Sequence, residues 1–68
     1  MIKFKVILNW YGKNQEFWTT LHRDNPTKAV KNCLNQLANK MGITTYSVRQ
    51  YFASNGNKIT IEKETIND

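Results

Sequence analysis

Apolar and polar residues alternate from the start of the chain. Ile2, Phe4, Val6, Leu8 and Trp10 fall on one face, with Lys3, Lys5, Ile7, Asn9 and Tyr11 on the other. A period of two over this length predicts a half-buried strand. Gly12–Gln15 reads as a turn, because glycine and asparagine tolerate unusual backbone angles. Glu16–His22, rich in aromatic and β-branched residues, returns as a second strand. A two-residue loop flanked by positions 12 and 15 pairs Trp10 with Phe17 and Val6 with Leu21 on the buried side. Lys5, Ile7, Tyr11, Trp18 and His22 then lie outside. A three-residue loop buries Trp18 and exposes Phe17 instead. The first register is preferred, because it places more apolar pairs inside.

The period then changes. Asn25 is a natural N-cap, followed by Pro26 at the first helical position, where a missing N–H costs nothing. Asp24 favours the helix start electrostatically. Ala29, Val30, Cys33, Leu34, Leu37, Ala38 and Met41 form one apolar stripe at helical spacing, so the helix is expected to run to about Met41. Gly42 is expected to close it as a left-handed cap, with Ile43 folding back onto the stripe.

Thr44–Phe52 supports two readings. As a strand it would pair with Ile59–Ile61 through an Asn55-Gly56 turn. As a helix, Thr44 or Thr45 caps the start, Val48, Tyr51 and Phe52 line one side, and Gly56 supplies the C-terminal cap. The helix is favoured, because the strand would place Gln50 on the same face as Val48 and Phe52. Residues 58–63 predict a final strand with Ile59 and Ile61 inward, and the last five residues are expected to fray. The expected fold is α+β: a small three-stranded antiparallel or mixed sheet, in the order β-β-α-α-β, with a long helix packed on one face. The alternative order is β-β-α-β-β.

Sixty-eight residues make a single domain. A chain this short buries only about 60% of its unfolded surface, which leaves no room for a lidded substrate cavity. It opens on Met1 and is expected to be a whole small protein. Cys33 is the sole cysteine, which excludes an intrachain disulfide and a cysteine-based metal site and suits a reducing cytoplasm. No apolar run approaches the ~20 residues of a membrane span, and none has the form of a signal peptide.

Charge sharpens the picture. Residues 1–58 hold nine Lys or Arg against Glu16 and Asp24, a balance of +7; residues 59–68 hold Lys63 against Glu62, Glu64 and Asp68, a balance of −2. A basic body suits a polyanion partner. Nine asparagines, and eight lysines against two arginines, point to an A/T-rich coding source, such as a phage or mobile element.

Residues 37–52 carry the most specific pattern. Ala38, Gly42, Ile43, Val48 and Tyr51 resemble the spacing of helix-turn-helix DNA-binding proteins. The resemblance implies that Ala38 is the close-contact residue, Gly42 the turn, and Ile43, Val48 and Tyr51 the internal packing. Thr44, Thr45, Tyr46, Arg49 and Gln50 would then face DNA, with Lys28 and Lys31 adding general affinity. Arginine suits guanine edges and glutamine adenine edges in the major groove, and threonines at a helix start suit phosphates. The chain departs from the usual domain in three ways. Its first helix reaches back to Pro26, a β-hairpin stands where an earlier helix would be, and Tyr51 is bulkier than the usual aliphatic. The plain alternative is that Ala38, Val48 and Tyr51 fill the core and Gly42 caps.

A second candidate surface is Lys3, Lys5, Tyr11, Trp18 and His22 on the outer sheet face. Basic and aromatic side chains together can hold single-stranded nucleic acid, or mark a protein or homodimer interface. His22 has no recognisable nucleophile, Cys33 lies on the apolar stripe, and the acids are scattered. Neither an enzyme, a cofactor nor a metal is therefore expected. The expected function is a small regulatory protein that reads the major groove of double-stranded DNA with helix 45–54. The alternative is a non-enzymatic modulator that binds a protein through the aromatic hairpin face.

Overall fold

The computed structural model describes residues 1–65. In chain order it has β1 (Ile2–Trp10), β2 (Lys13–Leu21), α1 (Pro26–Met41), α2 (Thr45–Ala53), a short 3-10 turn at Gly56–Lys58, and β3 (Ile59–Thr65). The three strands form an antiparallel sheet in the order β2-β1-β3, and both helices pack on one face of it. This is the expected β-β-α-α-β order.

The hairpin turns at a different place from the one expected. Trp10 pairs with Lys13, so the two-residue turn is Tyr11-Gly12, with φ of 49° and 85°. Positive φ at both central residues defines a type I′ turn, whose twist matches the flanking strands. Val6 consequently faces Phe17, and Ile2 faces Leu21. The slip from the expected pairing is an even number of residues, so the side chains within the paired strands keep their expected faces. Phe17 is buried and Trp18 is half exposed. Tyr11 is an unusual residue in left-handed conformation. Its backbone N–H donates to Tyr51 Oη at 3.3 Å, and its ring lies 4.7 Å from those of both Trp10 and Tyr51. The contacts with Tyr51 span forty residues of sequence, and the local support comes from Asn9, whose side-chain oxygen accepts the Gly12 N–H at 3.1 Å.

Helix α1 starts and stops as its sequence dictates. Asn25 accepts a hydrogen bond from the Lys28 N–H, Pro26 sits in the first turn, and Gly42 closes the helix at φ 70°. Ile43 donates its N–H to the Ala38 carbonyl at 3.0 Å, which completes the cap. The Ile43 side chain, expected to fold back onto the stripe, remains 40% exposed. The core joins Phe4, Val6 and Leu8 of β1 and Phe17 of β2 to Ala29, Cys33, Leu34, Leu37 and Ala38 of α1, and to Val48 and Phe52 of α2. Burying a large aliphatic or aromatic side chain contributes about 2 kcal/mol. That is a large share of the margin of so small a domain.

At the other end, β3 runs on through Thr65, so Glu64 and Thr65 are paired strand residues rather than frayed ones. Residues 66–68, also expected to fray, lie outside the described residues. Ile59 and Ile61 sit opposite Leu8 and Val6, on the helix side of the sheet as expected. Ile61 nonetheless remains 40% exposed, because the core elements stand over β1 and β2.

Candidate nucleic-acid interface

The helical reading of Thr44–Phe52 holds. Thr44 is the N-cap, and its hydroxyl oxygen accepts the Ser47 N–H at 3.2 Å. Val48 and Phe52, four residues apart, are both buried, and a strand could not bury them without bringing Gln50 along. Asn55-Gly56 is not a hairpin turn, and β3 pairs with β1 instead. The expected cap at Gly56 is replaced by Ser54 in a right-handed conformation, and the following Asn55 N–H donates to the Phe52 carbonyl at 3.2 Å. Gly56 begins the 3-10 turn. Asn55 secures this exit by donating its side-chain amide to the Tyr51 carbonyl at 2.7 Å.

Burial of one side fixes what the other side presents. Tyr46, Arg49 and Gln50 are exposed, Tyr46 at 71%. Together with Ala53 they have the spacing i, i+3, i+4 and i+7, so they share one face of α2. Ala53 was not singled out from the sequence; a small residue there keeps the far end of the face open to close approach. The remaining candidates are placed differently. Thr44 spends its hydroxyl on the cap, and Thr45 is half-buried. Lys28 and Lys31 are exposed but lie in the first half of α1. Lys28 and Met41 are thirteen residues apart, or roughly 20 Å of helix. Lys28 instead lines a surface cleft with His22, Arg23 and Asn25.

Two packed helices joined by a short glycine-capped turn are therefore present. Ala38 and Val48 are buried between elements as the resemblance requires. Two of its internal positions depart. Ile43 is exposed, and Tyr51 is half-buried against Trp10 and Tyr11 at the hairpin tip. Lys58 donates to Tyr51 Oη at 3.2 Å and, with the Tyr11 N–H, holds the phenol below its ordinary pKa. This cluster of Trp10, Tyr11, Tyr51 and Phe52 ties α2 to the hairpin. It joins residues some forty positions apart, and periodicity gives no sign of it.

Charge is sorted between the two sides of the molecule. No acidic residue occurs between Asp24 and Glu62, so α1 and α2 carry Lys28, Lys31, Lys40 and Arg49 with no acid of their own. Asp24 is engaged by Lys63. The outer sheet face is mixed instead. Lys5 pairs with Glu16 at 2.8 Å and with Glu62 at 3.8 Å, and the Glu16 hydrogen bond raises its ammonium above the ordinary value. Lys3, Lys5 and Trp18 line a cleft there together with Glu62, Lys63 and Glu64. The five residues of the second candidate surface do not form one patch. Tyr11 lies in the turn against Tyr51, and His22 lies beyond β2 beside Arg23.

The fold is thus a small α+β domain: an antiparallel sheet with one face covered by two basic helices. Comparison with known proteins finds no matching family model, no matching curated protein and no matching solved structure. Among the described residues, no helix is long and apolar enough to cross a membrane.

Proposed function

We propose that this protein binds double-stranded DNA as a non-enzymatic regulator, with α2 as the helix that enters the major groove. The observation that carries this reading is the coincidence of an acid-free helical layer with the exposed Tyr46–Arg49–Gln50 face. Arg49 offers a planar pair of donors suited to guanine O6 and N7. Gln50 offers a donor and an acceptor suited to adenine. Tyr46, one turn earlier, can contact sugar or a thymine methyl. Lys28 and Lys31 supply attraction to the phosphate backbone that does not depend on sequence. Lys40 is partly committed, since its ammonium bonds Gln15 Oε1 at 2.6 Å.

The test is a titration with duplexes selected from a random pool, and with single strands, at two salt concentrations. Duplex binding should weaken steeply with salt. Arg49→Ala and Gln50→Ala should each cost about 1–3 kcal/mol of discrimination against the wrong base. Lys28→Ala and Lys31→Ala should lower affinity for all duplexes alike. Duplex affinity and preference that survive Arg49→Ala and Gln50→Ala unchanged would remove α2 from the interface.

A second reading rests on Trp18, which is 50% exposed in the middle of the mixed-charge sheet face. A large aromatic ringed by polar groups is the usual anatomy of a protein-binding hot spot. That surface would serve a protein partner rather than a polyanion, because its lysines are balanced by glutamates.

A further inference from the structure

The two edges of the sheet are treated differently. Along β2, α1 lays down Asn32, Gln36 and Lys40. Gln36 donates to the Trp18 carbonyl at 3.2 Å, Asn32 reaches Thr19 Oγ1 at 3.4 Å, and Lys40 bonds Gln15. At the other edge, no described element lies beyond β3. Its helix-side face is also poorly covered, with Ile61 40% exposed. A seven-residue strand with an open edge and an exposed isoleucine is a template for further pairing.

We propose that β3 pairs antiparallel with β3 of a second copy of this chain, centred on Ile61, so that the dimer has one continuous six-stranded sheet. The sequence of β3 selects this register. A dyad perpendicular to the sheet must pair residues of the same face, so only registers centred on a residue are available. Centring on Glu62 sets that carboxylate against itself. Centring on Lys63 sets Lys63 against itself and Glu62 against Glu64, and like charges directly opposite are destabilising. Centring on Thr60 pairs only residues 59–61 of the strand. Centring on Ile61 pairs residues 59–63, sets Ile61 on Ile61, Thr60 opposite Glu62 and Ile59 opposite Lys63, and brings Glu64 of one copy opposite Lys58 of the other, whose ammonium would turn from Tyr51 Oη to meet it. Lys63 points to the helix side of the edge, a feature that can discourage pairing. Here its ammonium is drawn to Asp24 within its own copy, which leaves the space beside Ile61 open.

The dyad has a consequence for the surface. It leaves both helical layers on the same side of the joined sheet, so two acid-free faces and two α2 helices point the same way. The pairing itself needs no DNA and stands or falls separately from the α2 reading.

Sedimentation of the full chain without DNA tests it. The wild type should be a reversible dimer within a range up to about 100 µM, the weak end of specific association. Ile61→Lys should leave the chain monomeric. Glu64→Lys, facing Lys58, should raise the dimer dissociation constant at least about tenfold. Circular dichroism of both variants should show the native fold, since both sites are exposed. A wild type that stays monomeric throughout, or a dimer whose dissociation constant either substitution leaves unchanged, overturns the proposal.

Discussion

Single residues set several boundaries of this fold, and each can be tested alone. Gly12 occupies the second turn position at φ 85°, with open space around it. An alanine there meets no neighbour, so the cost is backbone strain alone. Gly12→Ala should destabilise by about 1 kcal/mol, read as a lower urea midpoint at unchanged slope. Cys33 is fully buried on α1, and burial pushes its thiol from 9.0 up to about 11. The raised value means that the native state favours the neutral thiol. Its contribution is complete below about pH 9 and is lost as pH climbs towards about 11, because the unfolded chain releases that proton first. Relative to a Cys33→Ala variant, the wild type should lose stability across that window. The native thiol should also resist alkylation at neutral pH. A thiol that reacts as fast as free cysteine would contradict the buried placement.

At the level of elements, legibility followed the reach of the forces involved. The ends of α1 were readable because Asn25, Pro26 and Gly42 act within one turn. Its stripe was readable because the sheet and α2 together cover one continuous side of it. The strand faces of the hairpin were readable by alternation, whereas its register was not. Register depended on Tyr11 accepting a left-handed conformation, and part of what holds it comes from the distant Tyr51. The exposure of Ile43 and Ile61 was equally hidden, since periodicity assigns a face but not whether anything stands over it. For the candidate site, the sequence marked Tyr46, Arg49 and Gln50 on the open side of a helix. It did not show that Thr44 is consumed by the cap, that Lys28 and Lys31 sit at the far end of α1, or that Tyr11 and His22 leave the outer sheet face. Helix α2 is nine residues long, too short to persist without tertiary support. Thr44→Ala removes the oxygen that holds the Ser47 N–H, and should cost about 1 kcal/mol of stability. The loss should concentrate in α2, read as faster amide exchange at residues 48–53 while the β1 amides stay protected.

On the scale of the whole molecule, the sorting of charge matters more than its total. The net +5 of the chain combines helices that carry no acid of their own with a sheet side where glutamates answer the lysines. A polyanion should therefore approach from the helices, and Trp18 should stay clear of it. The Lys63–Asp24 pair joins the edge strand to the start of α1 and leaves the basic residues of the helices unbalanced. The most direct test is to map backbone amide shifts while adding a short duplex at low salt. The account predicts that Tyr46, Arg49, Gln50 and Ala53 move most, with smaller changes at Lys28 and Lys31. Shifts centred on Lys5 and Trp18, with α2 silent, would contradict it.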